Sequence, residues 1–186
     1  MTRWGSPVMH ARTRAVSVFD EELHTLVRDM FATMEASQGV GLAATQVGVD
    51  LAVFTYGCPD GDEVVRYGAV CNPTVALPEG NNRSFDISSE GCLSLPGAFQ
   101  QLGRPDHAVC SGVDPFGQPV IVVGTGLLAR CLQHETDHLN GMVFGDRLSN
   151  RARRDLYEQH RLAAHLYPED WPCHSAAVPP SADAGM

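Results

Sequence analysis

Apolar positions along this chain follow two rhythms. From Leu23 to Met34 they recur every three or four residues, as Leu23, Leu26, Val27, Met30, Phe31 and Met34. That spacing predicts a helix with one core-facing stripe, in which Met30 and Met34 are core. Asp20 is a suitable N-cap with Glu21 and Glu22 in the first turn, and Ser37-Gln38-Gly39 ends the helix. Leu127, Leu128, Cys131 and Leu132 set up a second helical stripe that runs into His134, His138 and Leu139 and closes at Asn140-Gly141. A third helix is expected from about Arg151 to Leu166, capped by Ser149. The other rhythm is short. Leu51 to Tyr56, Val64 to Val70, Thr74 to Leu77, Arg83 to Ser89, Ala108 to Val113 and Val120 to Val123 read as strands. Turn residues such as Pro59-Asp60-Gly61 and Asp114-Pro115-Phe116-Gly117 separate them. Separations this short favour antiparallel hairpins over parallel crossovers.

Composition adds limits. With 186 residues, 44% hydrophobic and 19% charged, the chain is expected to be one globular domain over residues 1–167. From Pro168 onward, four prolines, several alanines and few large apolar residues predict a disordered tail over 168–186, and its Cys173 and His174 are assigned no role. A net charge of −9 argues against sequence-specific nucleic-acid binding or attraction to an anionic membrane. Apolar runs such as Pro119 to Val123 are far too short to span a bilayer, and Met1 to Pro7 leads into no signal-like stretch. The expected location is the cytoplasm. Six cysteines (58, 71, 92, 110, 131 and 173) contain no Cys-x-x-Cys pair, so most are read as small buried hydrophobes. Cys92 is the exception.

The chemistry centres on Gln133-His134-Glu135-Thr136-Asp137-His138. On a helix, His134 and His138 project from one face and can hold one metal ion, while Glu135 can reach a water at that ion. A hydrolytic site needs about three protein ligands. Extension to His-x-x-Gly-x-x-His fails because Phe144 stands where the last histidine would be. Glu158 is a candidate third ligand but sits among arginines in a helix expected to be exposed. Cys92 follows an expected strand, sits between Gly91 and Leu93 and offers a soft thiolate, so it is better placed. Gly39 to Gly48 fits Gly-x-Gly-x-x-Ala loosely, but a helix precedes it where a dinucleotide motif needs a strand. Its small residues instead leave backbone open to close approach, and Gln46 has an amide donor to offer.

Three segments together, Gly39 to Gln46, Glu90 to Ser94 and Gln133 to His138, resemble the signature segments of the peptide deformylases, in that family's order and at similar separations. The similarity covers most of residues 3–148, including Gly5-Ser6-Pro7-Val8 and Gly141 to Leu148. The resemblance implies an α+β fold in which antiparallel sheets pack around a central metal-binding helix, with one N-terminal and one C-terminal helix. It makes Cys92, His134 and His138 the metal ligands and Glu135 the general base and acid. Gln46 and the backbone amide of Leu93 become the oxyanion donors, and a peptide lies as an added strand beside Val40, Gly41 and Gly91. The implied metal is Fe²⁺, with Zn²⁺, Ni²⁺ or Co²⁺ able to occupy the site. The implied substrates are N-formylmethionyl peptides of newly made proteins.

Four finer expectations follow. A buried Glu90–Arg104 pair fixes the Cys92 segment. The methionine pocket involves Leu132 and positions beside His134. Gly103, where the family commonly has proline, loosens a substrate-side loop over Gln100 to Arg104. The arginines of Arg151 to Arg161 form either a solvated face or a ribosome-docking surface. Two other classes remain open on sequence: a metalloprotease cutting internal peptide bonds, and a catalytically silent metal-bearing protein.

Overall fold

The computed structural model describes residues 1–80 and 84–172. The first predicted helix is α1, Glu21–Ala36, and the Asp20 carboxylate accepts from the Leu23 N–H at 3.1 Å, as its N-cap position demands. Then come β1 (Gly41–Ala43), a 3₁₀ turn over Ala44–Val47, β2 (Val53–Pro59) and β3 (Val65–Ala76). A hairpin of β4 (Phe85–Gly91) and β5 (Phe99–Pro105) precedes β6 (His107–Val113), β7 (Pro119–Thr125) and α2 (Gly126–Leu139). The last helix, α3, is Asn150–Ala163, with the Ser149 side chain accepting from the Ala152 N–H.

Five strands form one sheet in the order β1-β2-β3-β6-β7, and β4-β5 form a separate two-stranded sheet; every pairing is antiparallel. The larger sheet is covered on both faces, and period-two alternation sorts its side chains. Phe54, Tyr56, Cys58 and Val70 pack with Leu128, Ala129 and Leu132 of α2. Val53, Ala69 and Cys71 pack with Leu23, Val27, Met30 and Met34 of α1. The expected α+β architecture around the histidine-bearing helix is the one observed. A third cluster joins Cys92, Leu95 and Ala98 to Phe144, Leu148 and Leu156, so α3 closes over the segment that follows β4.

Four expectations need correction. Val64 to Val70 and Thr74 to Leu77 are parts of one strand, β3, which passes through Asn72-Pro73 with a register shift between Cys71 and Thr74. Asn72 takes φ +52, and its side-chain amide bonds both N–H and C=O of Val16 at 2.8 Å, which stabilises the irregularity without ending the strand. The Gln100 to Arg104 segment belongs to strand β5, and Gly103 pairs with Ile87 instead of loosening a loop. Leu132 points into the α2–sheet core with no exposed surface, so it cannot line a methionine pocket. At the tail, residues 168–172 fold back on the N-terminus, where Arg3 donates to the Tyr167 and Pro168 carbonyls. Residues 173–186, with Cys173 and His174, lie outside the described residues, as does Arg83 at the start of the expected fourth strand.

Because Leu132 is wholly enclosed, truncation leaves a cavity as well as losing transfer energy. Leu132→Ala is expected to lower unfolding free energy by about 2–5 kcal/mol in urea titration. A loss well below 1 kcal/mol would contradict its core placement.

Candidate metal centre

The α2 stripe that packs on the sheet continues into the two histidines. Because they are one helical turn apart, their rings meet edge-on at 4.8 Å between centroids. His138 Nε2 lies 3.1 Å from His134 Nε2 and 3.3 Å from Cys92 Sγ. The three donor atoms fall within 4.8 Å of one another, and all three residues are buried. Cys92 reaches them from the end of β4, forty-two residues before His134. Glu158, the rival third ligand, is exposed on α3 and paired with Arg161, so the structure does not bring it to the histidines.

The donor set fits a divalent cation. Glu90 Oε1 lies 2.7 Å from His134 Nδ1, and a carboxylate can only accept, so Nδ1 carries the proton and Nε2 presents a lone pair. Two imidazole nitrogens and a sulfur this close in a dry site repel unless a proton or cation lies among them. One thiolate and two imidazoles are a common set for zinc and other first-row divalent ions. The far nitrogen of the second ring, His138 Nδ1, is buried without a hydrogen-bond partner.

Behind the ligands is a charge network. Arg104 donates to both oxygens of Glu90, at 2.8 and 2.7 Å, and to Asp137 at 3.0 Å. Arg130 donates to Glu90 at 2.6 Å and to the Asp86 carboxylate at 2.8 Å, and Arg147 is paired with Asp137. Burial opposes ionisation of Glu90, but the bonds from Arg104 and His134 outweigh it and hold the group well below the usual carboxylate range. Burial likewise lowers an imidazole pKa, yet hydrogen bonds with Cys92 and Glu90 raise that of His134. His138 stays low, through burial and the neighbouring His134. The expected Glu90–Arg104 pair is present. The sequence pattern assigns no role to Arg130, Asp137 or Arg147, although arginine and aspartate on the buried stripe of a predicted helix are a usable signal.

Glu135 stands apart. Burial raises its pKa to about 7, and its Oε2 is buried with no partner. Gly41 permits this, since a Cβ there would lie 2.5 Å from Glu135 Oε1 and 2.7 Å from Cys131 Sγ. Gln46 anchors its side-chain oxygen on the Ala43 N–H at 2.9 Å. Its NH₂ then faces Cys92 Sγ at 3.6 Å and Ser94 Oγ at 3.4 Å. The Leu93 N–H makes no backbone hydrogen bond among the described residues. A cavity of about 480 Å³ joins these groups to the surface, and Val40, Gly41, Gly91 and Leu93 are among the residues that line it.

A buried Cys/His/His cluster beside an unpaired glutamate, at the end of a cleft edged by strand β1, defines a metal-dependent hydrolase. The family profile described as polypeptide deformylase matches residues 1–154. Peptide deformylase 1 of Streptomyces avermitilis is 49% identical over 164 residues, covering 88% of this chain and 76% of that protein. Peptide deformylase 2 of Streptomyces coelicolor is 50% identical over 155 residues, covering 83% of this chain and 85% of that one. Among solved structures, the peptide deformylase of Ehrlichia chaffeensis superposes with TM-score 0.79 at 32% identity, over 88% of this chain and 95% of that one. That of Synechococcus elongatus, in complex with actinonin, gives TM-score 0.75 at 36% identity, over 86% and 85%. This chain belongs to the polypeptide deformylase family.

Because Glu90 fixes His134, loosening Glu90 should weaken the metal site. Arg104→Ala is expected to destabilise the fold by about 3–5 kcal/mol through an unpaired buried charge. It should also lower metal affinity about 10–100-fold in chelator competition. Full metal content and unchanged stability would show the pair to be dispensable.

Proposed function

We propose that this chain removes the formyl group from N-formylmethionyl peptides, with Cys92, His134 and His138 holding one metal ion and Glu135 moving the proton. The carrying observation is the buried, unpartnered carboxylate oxygen of Glu135 beside the Cys92–His134–His138 cluster. The cellular metal on this reading is Fe²⁺, with Zn²⁺, Ni²⁺ or Co²⁺ able to replace it; a thiolate with two imidazoles suits them all. Bound there, the ion supplies Lewis acidity and lowers the pKa of water from about 15.7 toward 7.

The residues of the chain do the rest. Glu135, held near neutrality by its burial, takes a proton from the attacking water and delivers it to the departing amine. Water attacks the formyl carbon, and charge gathers on the formyl oxygen. The Gln46 amide and the Leu93 N–H donate to that oxygen, each worth about 3 kcal/mol. Close approach of Gly41, Glu135 and Cys131 leaves little room beside the reacting carbon, which favours formyl over acetyl. The peptide adds as a strand along Val40-Gly41 and Gly91; β1 is an edge strand, which supports this docking. Leu127 and Cys131, on the cavity wall beside His134, receive the methionine side chain.

The catalytic unit on this reading is residues 1–167. Five described cysteines, all free and buried, support a reducing compartment such as the cytoplasm. No described helix is long and apolar enough to cross a membrane. Contact with the ribosome uses α3, where Arg151 and Arg154 are exposed, whereas Arg153 and Arg161 are engaged by Asp146 and Glu158.

With a formyl-Met-Ala peptide, Glu135→Ala is expected to bind metal normally by elemental analysis and to lose turnover; turnover close to wild type would mean another group is the base. Gln46→Leu should lower kcat about 10²–10³-fold with little change in KM. Cleavage of casein in place of the formyl peptide would favour an endoprotease. For the ribosome, Arg151→Glu with Arg154→Glu should abolish co-sedimentation while thermal unfolding stays unchanged, because both side chains are solvated. Undiminished co-sedimentation would remove α3 from that role.

A further inference from the structure

The catalytic cleft does not end at the metal and the methionine site. Its outer wall includes Tyr167 and Trp171, residues beyond the 1–154 match to the family profile. Three sets of contacts hold them there. On the α3 side, His160 Nδ1 bonds the Pro96 carbonyl at 3.0 Å, and the Phe99 N–H donates to Gln159 Oε1 at 3.0 Å. At the turn between, Gly97 takes φ +78, and a Cβ on it would lie 2.5 Å from Ala163 Cβ and 2.9 Å from the Tyr167 ring, so helix end and turn are in close contact. From the N-terminus, Arg3 Nη2 donates to the Tyr167 and Pro168 carbonyls at 2.8 and 2.9 Å, and its guanidinium stands 5.6 Å from the Trp171 ring centre. The two rings meet edge to face at 5.2 Å.

Both rings are only half-buried, and with Phe99, 58% exposed, they make an aromatic rim on one side of the cleft. The lining also includes Ala36, Ser37, Gln38 and Gly39, all uncharged. The charged groups of the cavity wall, Glu90, Arg130, Glu135 and His134, are all buried at its inner end. A peptide leaving the metal between Val40-Gly41 and Gly91 therefore meets apolar ring surface at the mouth, where the nearby Arg3 guanidinium is engaged by the Tyr167 and Pro168 carbonyls and the Trp171 ring.

We infer that Tyr167 and Trp171, clamped by Arg3, form a substrate subsite for a bulky apolar or aromatic side chain in the first two residues after the formyl-methionine. The inference rests on the deformylase reading and on the continuity of this wall with the catalytic cavity. Edge or face contact with an aromatic side chain adds to burial, which sets the size of the preference.

Three peptides test it: formyl-Met-Ala-Ala, formyl-Met-Phe-Ala and formyl-Met-Ala-Phe. For the unaltered full chain loaded with metal, at least one phenylalanine peptide is expected to exceed the alanine peptide in kcat/KM by about fivefold, through KM and not kcat. In Trp171→Ala and Tyr167→Ala that ratio should fall toward one, and Trp171→Phe should restore most of it. A ratio of one in the unaltered chain overturns the inference without any variant, as does a ratio that both alanine variants leave unchanged. Failure to deformylate any of the three peptides would instead sink the deformylase reading itself.

Discussion

The site depends on one buried carboxylate. Glu90 accepts from Arg104 through both oxygens, from Arg130 through one, and from His134 Nδ1 through the other. Removing that charge from water is costly, and only several fixed donors at once repay it. Once repaid, the carboxylate fixes a proton on His134 Nδ1 and turns Nε2 toward Cys92 and His138. The same arginines join β4, β5 and α2: Arg130 also reaches the Asp86 and Leu102 carbonyls, and Arg104 reaches Asp137. Glu90, Asp86 and Asp137 face Arg104, Arg130 and Arg147, so the network is locally balanced although the chain as a whole is strongly acidic.

That balance matters for the other acid. Glu135 is as buried as Glu90 but receives no donor on Oε2, and its pKa moves in the opposite direction. Two carboxylates forty-five residues apart are thus tuned by opposite means: one is saturated with cations and stays charged, while the other is left dry with its pKa raised. Gly41 is the steric condition for this, since a side chain on β1 would collide with Glu135. The large sheet contributes by presenting that glycine against α2.

The N- and C-terminal segments meet at the cleft mouth through Arg3, far from the metal in sequence and outside the three signature segments. The buried cluster of Cys92, His134, His138 and Glu135 and the aromatic rings at the mouth are therefore built from different stretches of chain. One is enclosed and charged, the other half-exposed and aromatic.

Much of this was readable from residue order. Helix caps at Asp20 and Ser149, the α1 and α2 stripes, the histidine pair with its glutamate, and the Glu90–Arg104 pair needed only local spacing or a short list of complementary residues. Other features were not readable. Strand β5 contains Gln-Gln-Leu-Gly-Arg, with no alternation to mark it, and only pairing with β4 makes it a strand. β3 continues through Asn72-Pro73 because the Asn72 side chain bonds Val16 across the fold. Leu132 and Cys131 are neighbours on α2 and share one core cluster, yet only Cys131 also lines the cleft, a difference set by where the sheet lies. Arg130 and Asp137 acquired their roles from partners decades of residues away, and Trp171 from an arginine near the opposite terminus. Sequence determined what depends on neighbours within a few residues, because helical and strand periods and caps are local. Which distant charges and rings share one cavity was decided only when two sheets and three helices packed together.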